Sequence, residues 1–177
     1  DKAMVALLQA DGYALPADFI EQMYASSKDA FETELEPVYG VKAVVQRVFA
    51  SGFKAAVASN APRSNLIKNL QTTGYSDILH PEMCFSGHEV AQPKPAPDLH
   101  QHILYRYDRL AAQAIVVEDS PAGAMGAQAA GVEFIGVLYA VAPHLKKQRM
   151  QEFQDLGAIA VLDSPEELGE TLSSIMA

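Results

Sequence analysis

A chain of 177 residues is the size of one domain, or of one domain with a small appendage. With 49% hydrophobic and 20% charged residues it has the composition of a globular protein with a real core, and no apolar stretch is long enough to cross a membrane. A net charge of −9 speaks against nucleic acid as a partner, and the lone Cys84 excludes an internal disulfide and suits a reducing, cytoplasmic setting.

In chain order, residues 2–10 (KAMVALLQA) read as a helix ended by Asp11-Gly12, and residues 16–35 as a second. Pro37 and Gly40 then break the pattern, so residues 1–36 stand apart as a small helical piece and 37–177 as the main domain. Val41, Val44, Val45, Val48 and Phe49 repeat with helical spacing, and Gly52 stops the run.

From there short apolar runs alternate with amphipathic segments. Strands are expected over 54–58, 83–86, 114–117, 134–138 and 158–162. Helices are expected over 62–73, 97–107, 121–130 and 143–156, with a last one starting at Ser164. Strand–helix alternation of this kind implies an α/β fold: a doubly wound, Rossmann-like parallel sheet with helices on both faces. Ligands of such sheets bind beyond the carboxyl ends of the strands, which directs attention to three loops.

The first is Ser59-Asn60-Ala61-Pro62-Arg63-Ser64. A hydroxyl and free N–H groups just before a helix suit phosphate; the alternative is an ordinary N-cap by Ser59 or Asn60. The second is Gln92-Pro93-Lys94-Pro95-Ala96-Pro97-Asp98, where fixed φ angles stiffen the chain around Lys94. The lysine is either held for an anion or simply solvated. The third is Glu118-Asp119-Ser120-Pro121. Two adjacent carboxylates at the end of a buried strand are costly unless a cation offsets them, and a hard divalent ion such as Mg²⁺ prefers such oxygens. The alternative is that Asp119 caps the next helix and Glu118 faces solvent.

"VASN" at 57–60, "QPKPAPD" at 92–98 and "VVEDSPAG" at 116–123 resemble, in order and spacing, three motifs of the haloacid dehalogenase-like hydrolase superfamily. The resemblance is to the branch that includes phosphoglycolate phosphatase, 6-phosphogluconate phosphatase and β-phosphoglucomutase. The likeness is good over roughly residues 37–140 and looser elsewhere. It implies that Ser59, with Asn60, hydrogen-bonds a phosphoryl group, that Lys94 neutralises it as a catalytic cation, and that Asp119 ligates Mg²⁺ with Glu118 as ligand or partner. The implied function is Mg²⁺-dependent hydrolysis of a small phosphorylated metabolite, a sugar or sugar-acid phosphate, by a monomer. A phosphomutase on the same fold and a catalytically silent binding relative are the alternatives; dehalogenation, which needs no metal, fits the acidic pair less well.

The family's first motif, Asp-x-Asp-x-Thr after its first strand, is not found. Asp11 has Gln9 two residues upstream, and Asp29 and Asp163 also lack the partner. Residues 1–36 resemble the latter part of the family's helical cap. The expectation is therefore a native protein with about 15–50 further N-terminal residues that supply the first strand and the aspartate nucleophile.

Other features read as structural. His100 and His102 point different ways on one helix and do not form a zinc site. Cys84 belongs to an apolar strand. No G-x-S-x-G elbow supports a serine hydrolase. Tyr105, Arg106 and Tyr107 end a helix at the surface. Lys146, Lys147 and Arg149 form a solvated basic face.

Overall fold

The computed structural model describes residues 12–19, 22 and 35–177. The chain divides into two compact units, Asp1–Glu36 and Pro37–Ala177. In the first, Phe19 N–H donates to Pro16 O (3.0 Å) and Gln22 N–H to Asp18 O (2.9 Å), one turn of helix inside the expected 16–35 segment. The remainder of that helix and the expected helix over 2–10 lie outside the described residues.

The second unit alternates as the sequence suggests. The order is α1 (Val41–Ala50), β1 (Val57–Ser59), α2 (Arg63–Thr72), β2 (Cys84–Ser86), α3 (Asp98–Tyr107), β3 (Ile115–Glu118), α4 (Pro121–Ala129), β4 (Glu133–Val137), α5 (Lys146–Asp155), β5 (Ala160–Leu162) and α6 (Pro165–Ile175). All pairing is parallel. Among the described residues the strands form two ladders, β1-β2 and β3-β4-β5. Val57, Ala58 and Ser59 pair with Cys84, Phe85 and Ser86; Ile115–Glu118 pair with Glu133–Gly136, and β4 continues onto β5.

β4 shows how the sheet is sandwiched. Its Phe134 joins Ala124 and Ala127 of α4 and Phe153 of α5 in one apolar cluster. Its Ile135 and Val137 join Val44 of α1 and Leu168 of α6 in another. Alternate residues of the strand thus enter cores on opposite faces, which is why the run FIGV is buried throughout rather than half polar. Phe134 and Phe153 meet edge to face with ring centroids 6.0 Å apart. Each such fully buried large side chain contributes about 1.5–3 kcal/mol by leaving water. Under the other ladder, Phe85 of β2 packs against His102 and Tyr107 of α3 at 5.8 and 6.0 Å, and Cys84 is fully buried beside it.

Local signals fix the helix starts. Ser164 accepts Glu167 N–H while Glu167 Oε2 accepts Ser164 N–H, a reciprocal cap with Pro165 at the first helical position. Ser120 caps α4 in the same region of its sequence, accepting Gly123 N–H at 3.1 Å with Pro121 next in line.

Candidate functional site

The carboxyl ends of β1 and β3 and the loop after β2 meet at one lysine. The Lys94 side chain is only 9% exposed, and its ammonium donates to Ala58 O of β1 at 3.2 Å while forming an ion pair with Glu118 at the end of β3. It thereby spans the two ladders. The solvated alternative for Lys94 is overturned: its side chain turns inward over the strand ends, from a loop that three prolines stiffen.

Glu118 is buried to the same degree as its partner. One carboxylate oxygen meets Lys94 and the other accepts the Ser120 hydroxyl at 2.9 Å. The carboxylate lies flat against Gly123 in the first turn of α4: a Cβ built there would stand 1.9 Å from the carboxyl carbon. Only glycine admits this approach. The charge is offset by a cation, a hydroxyl and the adjoining helix N-terminus, so its burial is balanced.

Asp119 behaves differently. It is exposed, and its carboxylate has no hydrogen bond or ion pair with any described residue. Capping of α4 falls to Ser120, and Glu118 is turned inward. The alternative in which Asp119 caps the helix and Glu118 faces water is thus reversed at both residues. The backbone of Asp119 is held instead: Arg149 of α5 donates to its carbonyl oxygen. Arg149 also pairs with Glu152 at 3.0 Å and lies 5.8 Å over the Phe153 ring. Neither Arg149 nor Lys146, which pairs with Asp163, belongs to a purely solvated face.

At the end of β1, Ser59 is half-buried and its Oγ accepts Ala61 N–H at 3.2 Å. Helix α2 starts one turn later with Pro62 at its cap position and no side-chain cap, so neither Ser59 nor Asn60 is an N-cap. The Ser59 hydroxyl proton remains free to point to a ligand. Asn60 is engaged with Lys94: its Nδ2 donates to Lys94 O at 2.7 Å and its Oδ1 accepts Lys94 N–H at 2.9 Å.

Ser86, buried and not singled out in the sequence, stitches the first two loops together. Its Oγ donates to Ala61 O at 2.7 Å and accepts His88 N–H, while Glu89 accepts the Ser86 N–H. That main-chain bond, with Arg63 beside it, holds the Glu89 carboxyl below its ordinary pKa. The sequence signal was Ser three residues ahead of Glu, a capping box hidden after a very short strand.

His100 is buried on α3 with Nε2 3.4 Å from Gly123 O. Tyr139, just past β4, has its hydroxyl pKa pushed up to about 12 by burial, with Tyr75 and Asp119 adding to the shift.

A metal can be tested against these donors. Among the described residues no group of three or more His, Cys, Asp or Glu side chains gathers, which excludes a closed zinc-type cage there. A single exposed carboxylate, Asp119, at the end of the strand that carries Glu118 fits the habit of Mg²⁺, which takes one or two carboxylates and completes its shell with water and phosphate oxygens. No described helix is long and apolar enough to cross a membrane.

Residues 4–137 match the family model described as haloacid dehalogenase-like hydrolase. A phosphoglycolate phosphatase from Cupriavidus necator is 33% identical over 134 residues, 76% of this chain and 54% of that protein. The 6-phosphogluconate phosphatase of Escherichia coli is 32% identical over 139 residues, 76% of this chain and 59% of that protein. The chain therefore spans little more than half the length of these relatives. Among solved structures, a hydrolase of this family from Deinococcus radiodurans with bound phosphate and sodium superposes with a TM-score of 0.82 at 26% identity, covering 97% of this chain and 74% of that one.

Proposed function

The chain belongs to the haloacid dehalogenase-like hydrolase family, and from that premise we propose that it is the phosphate-handling core of a phosphatase acting on a small phosphorylated metabolite, a sugar or sugar-acid phosphate. The observation that carries this reading is the Lys94 ammonium, held between Ala58 O and Glu118 at the strand ends where Ser59 and Asp119 also stand.

In this reading Lys94 supplies fixed positive charge to the phosphoryl oxygens, and Ser59 donates its free hydroxyl proton to one of them. Glu118 serves as the anchor of Lys94, since both its oxygens are engaged. Asp119 is the residue that would hold Mg²⁺, which when bound offers Lewis acidity to the phosphate. Arg149 keeps the Asp119 main chain in place. The attacking group, in the same reading, is the aspartate carboxylate expected from the family's first motif.

Binding of inorganic phosphate to the chain, followed by ³¹P NMR with and without Mg²⁺, tests the proposal. Phosphate is expected to bind, to lose at least about tenfold in affinity in Lys94→Gln, and to lose its Mg²⁺ dependence in Asp119→Asn. A chain that binds no phosphate under either condition overturns the reading. In the full-length protein, release of phosphate from sugar phosphates is the expected activity. Conversion of glucose 1-phosphate to glucose 6-phosphate without release would replace it with a phosphomutase.

A further inference from the structure

The Asn60 carboxamide grips both main-chain groups of Lys94, donating to its C=O at 2.7 Å and accepting from its N–H at 2.9 Å. One side chain thus treats one residue as a neighbouring strand would. Pro93 and Pro95 carry no N–H, so the Lys94 amide is the sole main-chain donor of residues 93–95, and Asn60 takes it. A third loop makes room for the grip. A Cβ built on Gly87, just after β2, would lie 2.6 Å from Asn60 Oδ1, 3.1 Å from its Cα and 2.9 Å from Pro93 Cβ.

The far end of the lysine is fixed as well, by Glu118 and Ala58 O. A lysine side chain has four rotatable bonds and gives up rotamer freedom when held. Holding the ammonium alone would leave its main chain to wander in a loop where residues 91–93 are exposed. Fixing the main chain sets where the four-carbon stem begins, and so where the ammonium ends.

We propose that Asn60 is a positioning residue, whose carboxamide fixes the main chain of Lys94 and so places its ammonium at the strand ends, and that Gly87 is the residue that admits this carboxamide. The effect on phosphate rests on the phosphatase reading; the effect on Lys94 does not.

The test uses the ¹⁵N-labelled chain and three signals: hydrogen exchange of the Lys94 amide, the ¹H–¹⁵N resonance of the Lys94 ammonium (identified by its loss in Lys94→Gln), and the dissociation constant for inorganic phosphate with Mg²⁺. In Asn60→Ala the Lys94 amide is expected to exchange at least about tenfold faster and the ammonium resonance to broaden away. Phosphate is expected to bind about fivefold more weakly, with the amide pattern of β4 unchanged. Gly87→Ala is expected to reproduce all three changes, and the double variant to be no worse than either single one. Weaker phosphate binding with both Lys94 signals intact would overturn the proposal and make Asn60 a direct phosphate ligand. Unchanged Lys94 signals with unchanged phosphate binding would overturn it outright. Should Asn60→Ala fail to fold, Asn60→Asp, which keeps the acceptor for Lys94 N–H and puts a charged oxygen in place of the donor to Lys94 O, is read by the same signals. The ammonium resonance is again expected to broaden, and its persistence overturns the proposal. A wild-type chain that binds no phosphate defeats the phosphatase reading, and the two Lys94 signals then decide the role of Asn60 alone.

Discussion

At the residue scale, the candidate site is held together by charges that offset each other at the ends of β1 and β3. A stiff Pro-Lys-Pro loop and a Glu-Asp pair at strand ends announce charge that must be offset, and Lys94 and Glu118 do offset each other. Which carboxylate turns inward was not in the sequence, because adjacent residues leave a strand end in opposite directions and only Gly123 decides which has space. His100 carries a pH prediction of its own. Burial holds its imidazole below the ordinary pKa, the Lys94 charge lowers it further, and the Gly123 carbonyl and Glu118 pull the other way. The unfolded chain therefore takes up a proton at this position first as pH falls. Stability present above the unfolded pKa of about 6.5 is lost progressively below it, until the folded His100 also titrates. Melting temperatures at pH 7.5 and 5.5 should differ, and the difference should shrink in His100→Gln. An equal difference in that variant removes His100 from the account.

At the scale of elements, helix starts were well marked by Ser120-Pro121 and Ser164-Pro165, and strands less well. The first strand was expected over 54–58 and lies at Val57–Ser59, because the ladder is set by partners: Ser59 pairs with Ser86, whereas Lys54 and Ala56 are exposed. A short apolar run holds no sign of where its pairing stops. The basic face of α5 is less free than its sequence implies for a related reason. Its polar residues hide a single anchor, Phe153, fully buried against Phe134 and flanked by the Arg149 that reaches Asp119. Phe153→Ala is expected to cost about 3–5 kcal/mol in urea unfolding. It should also weaken the Mg²⁺ dependence of phosphate binding, since Arg149 loses the surface it lies on. A loss below about 1 kcal/mol would mean that α5 is not held through this ring.

At the scale of the molecule, regular alternation of strand and helix was enough for the α/β class, and three loop motifs were enough for the family. Strand neighbours were not readable, since order in a sheet is fixed by contacts across crossovers rather than by succession; two parallel ladders bridged by a lysine could be seen only in three dimensions. The pairing of α1 with α6 is of the same kind. Gly40 meets Pro165, Gly169 lies beside Val44 and Arg47, and Val44 and Leu168 share a cluster with β4. These helices stand at opposite ends of the Pro37–Ala177 unit, whereas each ladder pairs strands close in sequence. Contacts that close so long a loop carry a higher closure entropy and are expected to form after the β3-β4-β5 ladder offers them a surface. The same clasp is expected to open as one cooperative piece of the Pro37–Ala177 unit. Amides of α1 and α6 should exchange together, by one shared opening, well before those of β4. The unit is in this sense fastened by a buckle that joins its first helix to its last, and cleavage by a protease is expected to follow how often that buckle slips, since its slipping uncovers Val44, Leu168 and the β4 side chains they cover.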